Sequence, residues 1–307
     1  MTTGEAPDAA GRGDGAAGVS ASRSAAGTAL GSAAGSASSG TLAGNVAGQS
    51  VMVEALRAQE SAPERGWWAR LTGRSPLTED ARPWYLGAVG EIRVAGLITR
   101  LGPEWMVLHA VPVGAGTSDI DHVLVGPAGV VTVNTKNHGT QRVWVAGKAF
   151  LVAGQKKPYI RNSEHEAARA AKLLTAAVGR PVTASAMIVV VDPKQMVVRE
   201  KPASVAVVTS SGMLRALRAQ ARRGPALPAG DLEALRAAAI EPRTWHRAPA
   251  PAIDTADLQS RFGRLHRAVT GARRRRTAWR FVGLLAVITV ACAAYLAITS
   301  GLLDAIA

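Results

Sequence analysis

The sequence has 307 residues and a formal net charge of +14; hydrophobic residues make up 48% of it and aromatic residues only 4%. This length allows one or two domains. The single Cys excludes an intramolecular disulfide framework and a cysteine-based zinc site. Because the first 50 residues contain no apolar run of the signal-peptide type, we do not expect N-terminal secretion.

The N-terminal segment, residues 1–63, is predicted to be a disordered tail because it is rich in Ala, Gly and Ser. Such a composition buries too little apolar surface to offset about 1–2 kcal/mol of backbone entropy per residue. A short helix is predicted at its end, over 51–60. Trp67 and Trp68 follow, beside several arginines. These two tryptophans suit either a membrane interface or the core of the next domain, and we favour the core.

Regular periodicity begins near Trp84. Apolar residues recur at helical spacing over 84–101, and Gly102-Pro103 ends that helix. Short β-prone runs separated by glycine and proline follow at 105–113, 119–125, 130–136, 142–145 and 149–152. The next predicted elements are a helix at 162–178, buried strands at 184–191 and 205–208, and a helix at 211–222. This order predicts an α/β domain over 84–222, with a mixed sheet flanked by helices.

The C-terminal part combines a basic region with an uncharged one. Residues 223–280 are predicted to be a basic linker with short helices, and 281–303 contain no charge. This second stretch is long enough to cross a hydrocarbon core of about 30 Å, so we predict a single transmembrane helix. Four consecutive arginines, 273–276, precede it. They favour a cell-membrane protein whose N-terminal domain is cytoplasmic, although the same cluster also suits nucleic-acid binding.

A hairpin in the α/β domain brings three polar side chains together. Two β-prone runs flank the turn Gly126-Pro127-Ala128-Gly129, which pairs Gly126 with Gly129. This register sets Asp121 opposite Asn134, with Cβ atoms about 5 Å apart, and places Lys136 on the same face. A carboxylate, an amide oxygen and an ammonium therefore converge on one patch.

The patch is typical of a metal-dependent phosphodiesterase. Carboxylate oxygens bind Mg²⁺, and the metal and a lysine together activate water and stabilise charge on a phosphate. The chief alternative is that Asp121 and Lys136 form only a structural ion pair.

Residues 84–222 resemble the nuclease-related domain (NERD), a branch of the PD-(D/E)XK restriction-endonuclease-like superfamily. The motifs that carry the resemblance are Gly87-Ala88-Val89-Gly90-Glu91, Asp119-Ile120-Asp121-His122, Gly129-Val130-Val131 with Asn134-Thr135-Lys136-Asn137, Trp144, and Asn162-Ser163-Glu164-His165-Glu166. The resemblance implies a restriction-endonuclease-like core, to which the transmembrane helix and the N-terminal tail are added.

The resemblance also implies roles for individual residues. Glu91 is the helix-borne acid, Asp121 the metal ligand and Lys136 the catalytic lysine. The family has an acid where this chain has Asn134, and often a glutamine where it has Glu166. The Glu166 carboxylate can restore the missing charge if its helix packs beside the hairpin; otherwise it only favours the helix N-terminal dipole.

These assignments predict a metal site formed by Asp121, Asn134 and Glu91, which would bind Mg²⁺ or Mn²⁺. The expected function is hydrolysis of nucleic acid at the membrane, with DNA preferred over RNA. The alternative is a weakly active or inactive nuclease-related module that binds nucleic acid or protein at the cytoplasmic face of the membrane.

Overall fold

The structure is a computed structural model that describes residues 40–113, 118–127, 129–223, 228–246 and 253–304. Its helices are α1 (Gln49–Glu60), α2 (Trp67–Leu71), α3 (Ala81–Ile98), α4 (Tyr159–Val178), α5 (Met213–Arg223), α6 (Ala229–Ile240), α7 (Pro242–Trp245) and α8 (Thr255–Asp304). Its strands are β1 (Met106–Pro112), β2 (Asp119–Gly126), β3 (Gly129–Asn137), β4 (Arg142–Ala146), β5 (Ala149–Val152), β6 (Gln155–Lys157), β7 (Ala184–Val191), β8 (Gln195–Glu200) and β9 (Val205–Thr209). The predicted tail up to residue 39 lies outside the described residues.

The central sheet is mixed, as predicted. Its strand order is β1-β2-β3-β7-β9. The first three strands are antiparallel neighbours, whereas β3, β7 and β9 run parallel. A smaller sheet, ordered β6-β5-β4-β8, packs beside it and includes β8, which the sequence reading missed.

Helices cover both faces of the central sheet. On one face, Val94 of α3 packs with Val131 and Val133 of β3. On the other face, Ala170 of α4 packs with Val130 of β3. Because side chains alternate along a strand, the odd-numbered residues of β3 face α3 and the even-numbered residues face α4. This alternation fixes which helix each polar residue of the hairpin meets.

The predicted extent of the disordered tail, to residue 63, is corrected by α1. Its side chains Val51, Met52 and Ala55 are buried against α3 and α8, with Tyr85 and Phe262 in the same cluster. A local composition rich in small residues indicates disorder, but burial on a distant helix supplies the apolar contact that the segment lacks alone.

The region predicted as a basic linker, 223–280, is also structured where it is described. Helix α6 packs on the core through Leu235 and Ala239, and Trp245 of α7 is buried beside them. The short helix expected near 255–270 continues without interruption into the apolar segment, forming the single helix α8. Helix α8 is long and apolar enough to cross a membrane, and its most apolar window is not buried against the protein.

Candidate active site

The β2–β3 hairpin has the register predicted from its turn. His122 pairs with Val133, and Gly126 pairs with Gly129. The paired residues of the two strands end at His122 and Val133. Beyond this pair, Oδ2 of Asp121 accepts a hydrogen bond of 2.6 Å from the backbone N–H of Thr135. The side chain of Asp121 thus ties β2 to β3 at the open end of the hairpin.

Asp121 lies at an irregular place in the sheet. In β1, His109 pairs with His122 and Val111 pairs with Ile120, so Ala110 lies opposite Asp121. Ala110 has a φ of 45°, a conformation that costs a non-glycine residue on the order of 1 kcal/mol. Such irregularities are enriched beside active sites, where they reorient side chains.

Asn134 of β3 contacts Glu166 of α4. The side-chain Nδ2 of Asn134 donates to both carboxylate oxygens of Glu166, at 2.7 and 2.8 Å. Asn134 is 5% exposed, and its Oδ1 accepts no hydrogen bond from the described residues. The helix therefore brings a carboxylate into direct contact with the amide of β3.

Lys136 lies two residues further along the same face of β3. Its Nζ is 5.1 Å from the ring centroid of Tyr159, the first residue of α4, so the ammonium and the ring form a cation–π contact. His138 stacks on the same ring, with centroids 5.8 Å apart. Tyr159 thus orients the side chains of Lys136 and His138 at this end of β3. This role of Tyr159 was not predicted from the sequence.

The imidazole of His138 is neutral at physiological pH. Burial lowers its pKa to about 4, and the nearby ammonium groups of Lys136 and Lys157 lower it further, whereas a hydrogen bond to Gln141 acts in the opposite direction. A pKa this far below neutral pH makes the imidazole a weak base, so His138 is better suited to hydrogen bonding than to proton abstraction.

Helix α4 presents a polar stripe to the hairpin. Tyr159, Ser163 and Glu166 are spaced at i, i+4 and i+7, so they share one face of the helix. Tyr159 contacts Lys136 and Glu166 contacts Asn134; Ser163 therefore lies between these two contacts. Its hydroxyl is buried and has no hydrogen-bond partner among the described residues. Buried polar atoms of this kind are usually satisfied by water or an ion.

Glu91 approaches from the opposite layer. It is 1% exposed, which excludes the reading of this residue as an exposed surface charge. Val94, three residues later on the same face of α3, packs on the odd-numbered side of β3. Asn134 and Lys136 face the other way, toward α4. The structure thus brings Asn134, Lys136 and Glu166 to the α4 side of β3. It ties Asp121 to the backbone of Thr135 and buries Glu91 on α3.

The polar side chains of the patch carry oxygen atoms of the kind that bind hard divalent cations. Asp121 and Glu166 supply carboxylate oxygens and Asn134 supplies an amide oxygen that accepts no hydrogen bond from described residues. Within the described ranges, no group of three or more His, Cys, Asp or Glu side chains is arranged to hold a metal ion. A cation here would therefore depend on Asn134.

One aromatic prediction differs from the structure. Trp144 of β4, one of the residues that carry the resemblance, is 38% exposed. Trp67 and Trp68 are 63% and 62% exposed, so the core placement favoured for them is wrong. His122 is buried, and its Nδ1 lies 2.8 Å from Nδ1 of His109.

The fold is of the α/β class, with helices on both faces of a mixed sheet. Residues 86–191 match the family model of the nuclease-related domain, and this part of the chain is therefore a nuclease-related domain. The match extends from α3 to the end of β7, so it includes every residue of the patch. No curated protein and no solved structure matches the chain.

Proposed function

We propose that the chain is a membrane-anchored, divalent-metal-dependent phosphodiesterase of the PD-(D/E)XK type that acts on nucleic acid, DNA in preference to RNA. The observation that carries the proposal is the contact between Asn134 and Glu166. It supplies a carboxylate beside the hairpin in a chain that lacks the acid expected on β3.

Each polar residue of the patch has a separate role in the proposed hydrolysis. Asp121, held by the N–H of Thr135, and Asn134, held by Glu166, supply the oxygen atoms of the proposed site. A bound Mg²⁺ or Mn²⁺ would polarise a phosphoryl oxygen and lower the pKa of water. Lys136, held by the ring of Tyr159, stabilises negative charge that develops on the phosphate. Glu91 is assigned to the site by its motif alone.

The membrane part of the proposal depends on α8. Its apolar segment follows ten arginines and three acids in residues 241–280, a bias that keeps the preceding domain on the cytoplasmic side. Nucleic acid would then be cleaved or bound at the cytoplasmic face of the membrane.

The burial of the patch favours a second candidate function. Asp121 is 0% exposed, Lys136 is 4% exposed and Asn134 is 5% exposed, whereas Glu166 is partly exposed. A closed site strengthens electrostatic interactions once substrate is inside. If it never admits substrate, the domain is a non-catalytic module that binds nucleic acid or protein at the membrane.

Cleavage assays on the full-length chain in detergent distinguish the two functions. Supercoiled plasmid and single-stranded DNA would be incubated with Mg²⁺, Mn²⁺ or EDTA. The phosphodiesterase proposal expects metal-dependent cleavage that Lys136→Met abolishes and that Lys172→Met, an exposed lysine on α4, leaves intact. DNA binding that falls steeply with salt, is unchanged in Asp121→Ala and is accompanied by no cleavage would favour the non-catalytic module.

A further inference from the structure

Helix α2 and the loop after it are docked on α8 just before its apolar segment. Nε1 of Trp279 donates a 2.9 Å hydrogen bond to the carbonyl of Leu71, and Arg275 donates one of 3.2 Å to the carbonyl of Arg70. Gly73, with a φ of 74°, lies so close to α8 that a Cβ there would overlap the backbone of Ala272 and Arg276. These contacts fix the position of the loop along the axis of α8, just before the apolar segment.

This docked helix exposes an aromatic surface. The rings of Trp67 and Trp68 are stacked with centroids 3.8 Å apart, and both are largely exposed, as are Leu71 and Trp279. Exposed tryptophans next to an apolar helix are typical of the interface between a bilayer and water, where the ring is buried and the N–H remains hydrated. Trp279 lies only two residues, about 3 Å, before Phe281.

A cationic cavity opens beside the same surface. It has a volume of about 540 Å³ and lies between the loop after α2, the start of α3 and α8. The residues that matter for its charge are Arg74, Arg82 and Arg276, opposed by Glu79. Three guanidinium groups against one carboxylate make the cavity complementary to an anion, and guanidinium forms bidentate hydrogen bonds with phosphate.

The height of the cavity matches that of lipid headgroups. Arg276 precedes Phe281 by five residues, which is about 7.5 Å along a helix. The headgroup layer on each side of a bilayer is about 5–7.5 Å thick. If α8 crosses a membrane, the three arginines therefore lie at the depth of the lipid phosphates.

We propose that this cavity binds the phosphate headgroup of an anionic phospholipid, with Trp67 and Trp68 inserted beside it into the same leaflet. The proposal depends on the membrane placement of α8 described above, and not on the nuclease activity. The lipid is favoured over nucleic acid because the cavity is lined by the loop that follows the tryptophan-bearing helix α2 and by Arg276, which lies five residues before the apolar segment of α8.

The test measures lipid selectivity of the full-length chain in a neutral detergent. Tryptophan fluorescence would be titrated with dioctanoyl phosphatidylglycerol and, separately, dioctanoyl phosphatidylcholine. We expect saturable binding of the anionic lipid, weakened about fivefold or more in Arg82→Gln and Arg276→Gln and unchanged in Arg57→Gln, an exposed arginine on α1. Equal affinity for the two lipids, or wild-type affinity in Arg82→Gln, would overturn the proposal.

Two competition experiments distinguish a lipid phosphate from inorganic phosphate and from the phosphates of nucleic acid. Inorganic phosphate and a short single-stranded oligodeoxynucleotide would be tested as competitors for the phosphatidylglycerol site. We expect neither to displace the lipid at equal concentration; displacement by phosphate identifies a general anion site, and displacement by the oligonucleotide identifies a nucleic-acid site. Either result overturns the lipid assignment.

Alkaline extraction of membranes that contain the chain separates this inference from the membrane proposal. A chain that remains in the membrane pellet but does not prefer phosphatidylglycerol refutes only the headgroup site. A chain released into the supernatant refutes the membrane placement itself.

Discussion

Asn134 on β3 and Glu166 on α4 are joined by the Nδ2 group of the amide, which donates to both carboxylate oxygens. This contact fixes the orientation of the amide, so Oδ1 of Asn134 points away from Glu166. The contact places a carboxylate of α4 beside the strand position where the resemblance to the nuclease-related domain leads us to expect an acid.

Replacing the amide by an acid tests this relationship. Asn134→Asp would place two carboxylates within hydrogen-bond distance, which removes a charge-assisted hydrogen bond worth about 1.5–3 kcal/mol and adds repulsion. We expect a lower Tm in EDTA for this variant. Adding Glu166→Gln should recover most of the loss, because the glutamine amide donates to the new carboxylate.

Thermal unfolding of the two single variants and the double variant forms a mutant cycle. Additive losses in free energy of unfolding would mean that positions 134 and 166 do not interact in solution. Glu233→Gln, in which an exposed carboxylate on α6 is neutralised, is the control and should leave the Tm unchanged.

The carboxylate of Asp121 has a structural function that can be separated from any catalytic one. Asp121→Asn keeps an oxygen able to accept from the N–H of Thr135, whereas Asp121→Ala leaves that buried N–H without this partner. We expect the alanine variant to lose about 1–3 kcal/mol more stability than the asparagine variant in urea unfolding. Equal losses would contradict a hydrogen-bonding role for Oδ2.

The cation–π contact between Lys136 and Tyr159 should be measurable as a coupling energy. Lys136→Met and Tyr159→Leu each remove the contact, so the double variant should lose less stability than the two single variants summed. A coupling of about 0.5–2 kcal/mol is expected for a desolvated pair. A coupling near zero would show that the ring does not hold the ammonium.

Two histidines with lowered pKa values, His138 and His109, predict that stability declines in mild acid. Burial lowers the pKa of His138 and that of His109 to about 4, below the value of 6.5 for an ordinary histidine. Between these values the unfolded chain binds more protons than the folded chain, so stability is full above pH 6.5 and is lost as pH falls toward 4. The loss is roughly 3 kcal/mol for each histidine.

Urea unfolding at several pH values checks this prediction. Between pH 4 and pH 6.5, the free energy of unfolding should change less steeply with pH in His138→Asn than in wild type. The variant lacks one of the two histidines whose protonation destabilises the folded chain. An identical slope would mean that His138 is not buried as a neutral group.

The hairpin could be predicted in detail because its signals are local. The turn at Gly126–Gly129 and the alternation of apolar residues fix the register, which the structure follows from the Gly126–Gly129 pair to the His122–Val133 pair. The predicted pairing of Asp121 with Asn134 lies beyond these pairs, where Asp121 accepts a hydrogen bond from the N–H of Thr135. The contact with Glu166 was foreseen only as an alternative, since it depends on how α4 packs. Nothing local distinguishes Tyr159 from an ordinary core aromatic residue before a helix.

The parts that were not predicted depend on contacts between distant segments. A helix over 51–60 was predicted, but its burial was not, because the cover on its apolar side comes from the distant helices α3 and α8. Trp67 and Trp68 are large and apolar, which favours a core, yet no neighbouring element covers them. Their exposure becomes explicable only when α2 is seen docked on α8.

Calorimetric titration of Mn²⁺ into the chain and its variants tests the central claim most directly, namely that Glu166 supplies the carboxylate missing from β3. We expect wild type to bind Mn²⁺, Glu166→Gln to bind at least about tenfold more weakly, and the double variant Asn134→Asp with Glu166→Gln to recover binding. If Glu166→Gln binds Mn²⁺ as tightly as wild type, or if wild type does not bind it, Glu166 does not replace the missing acid.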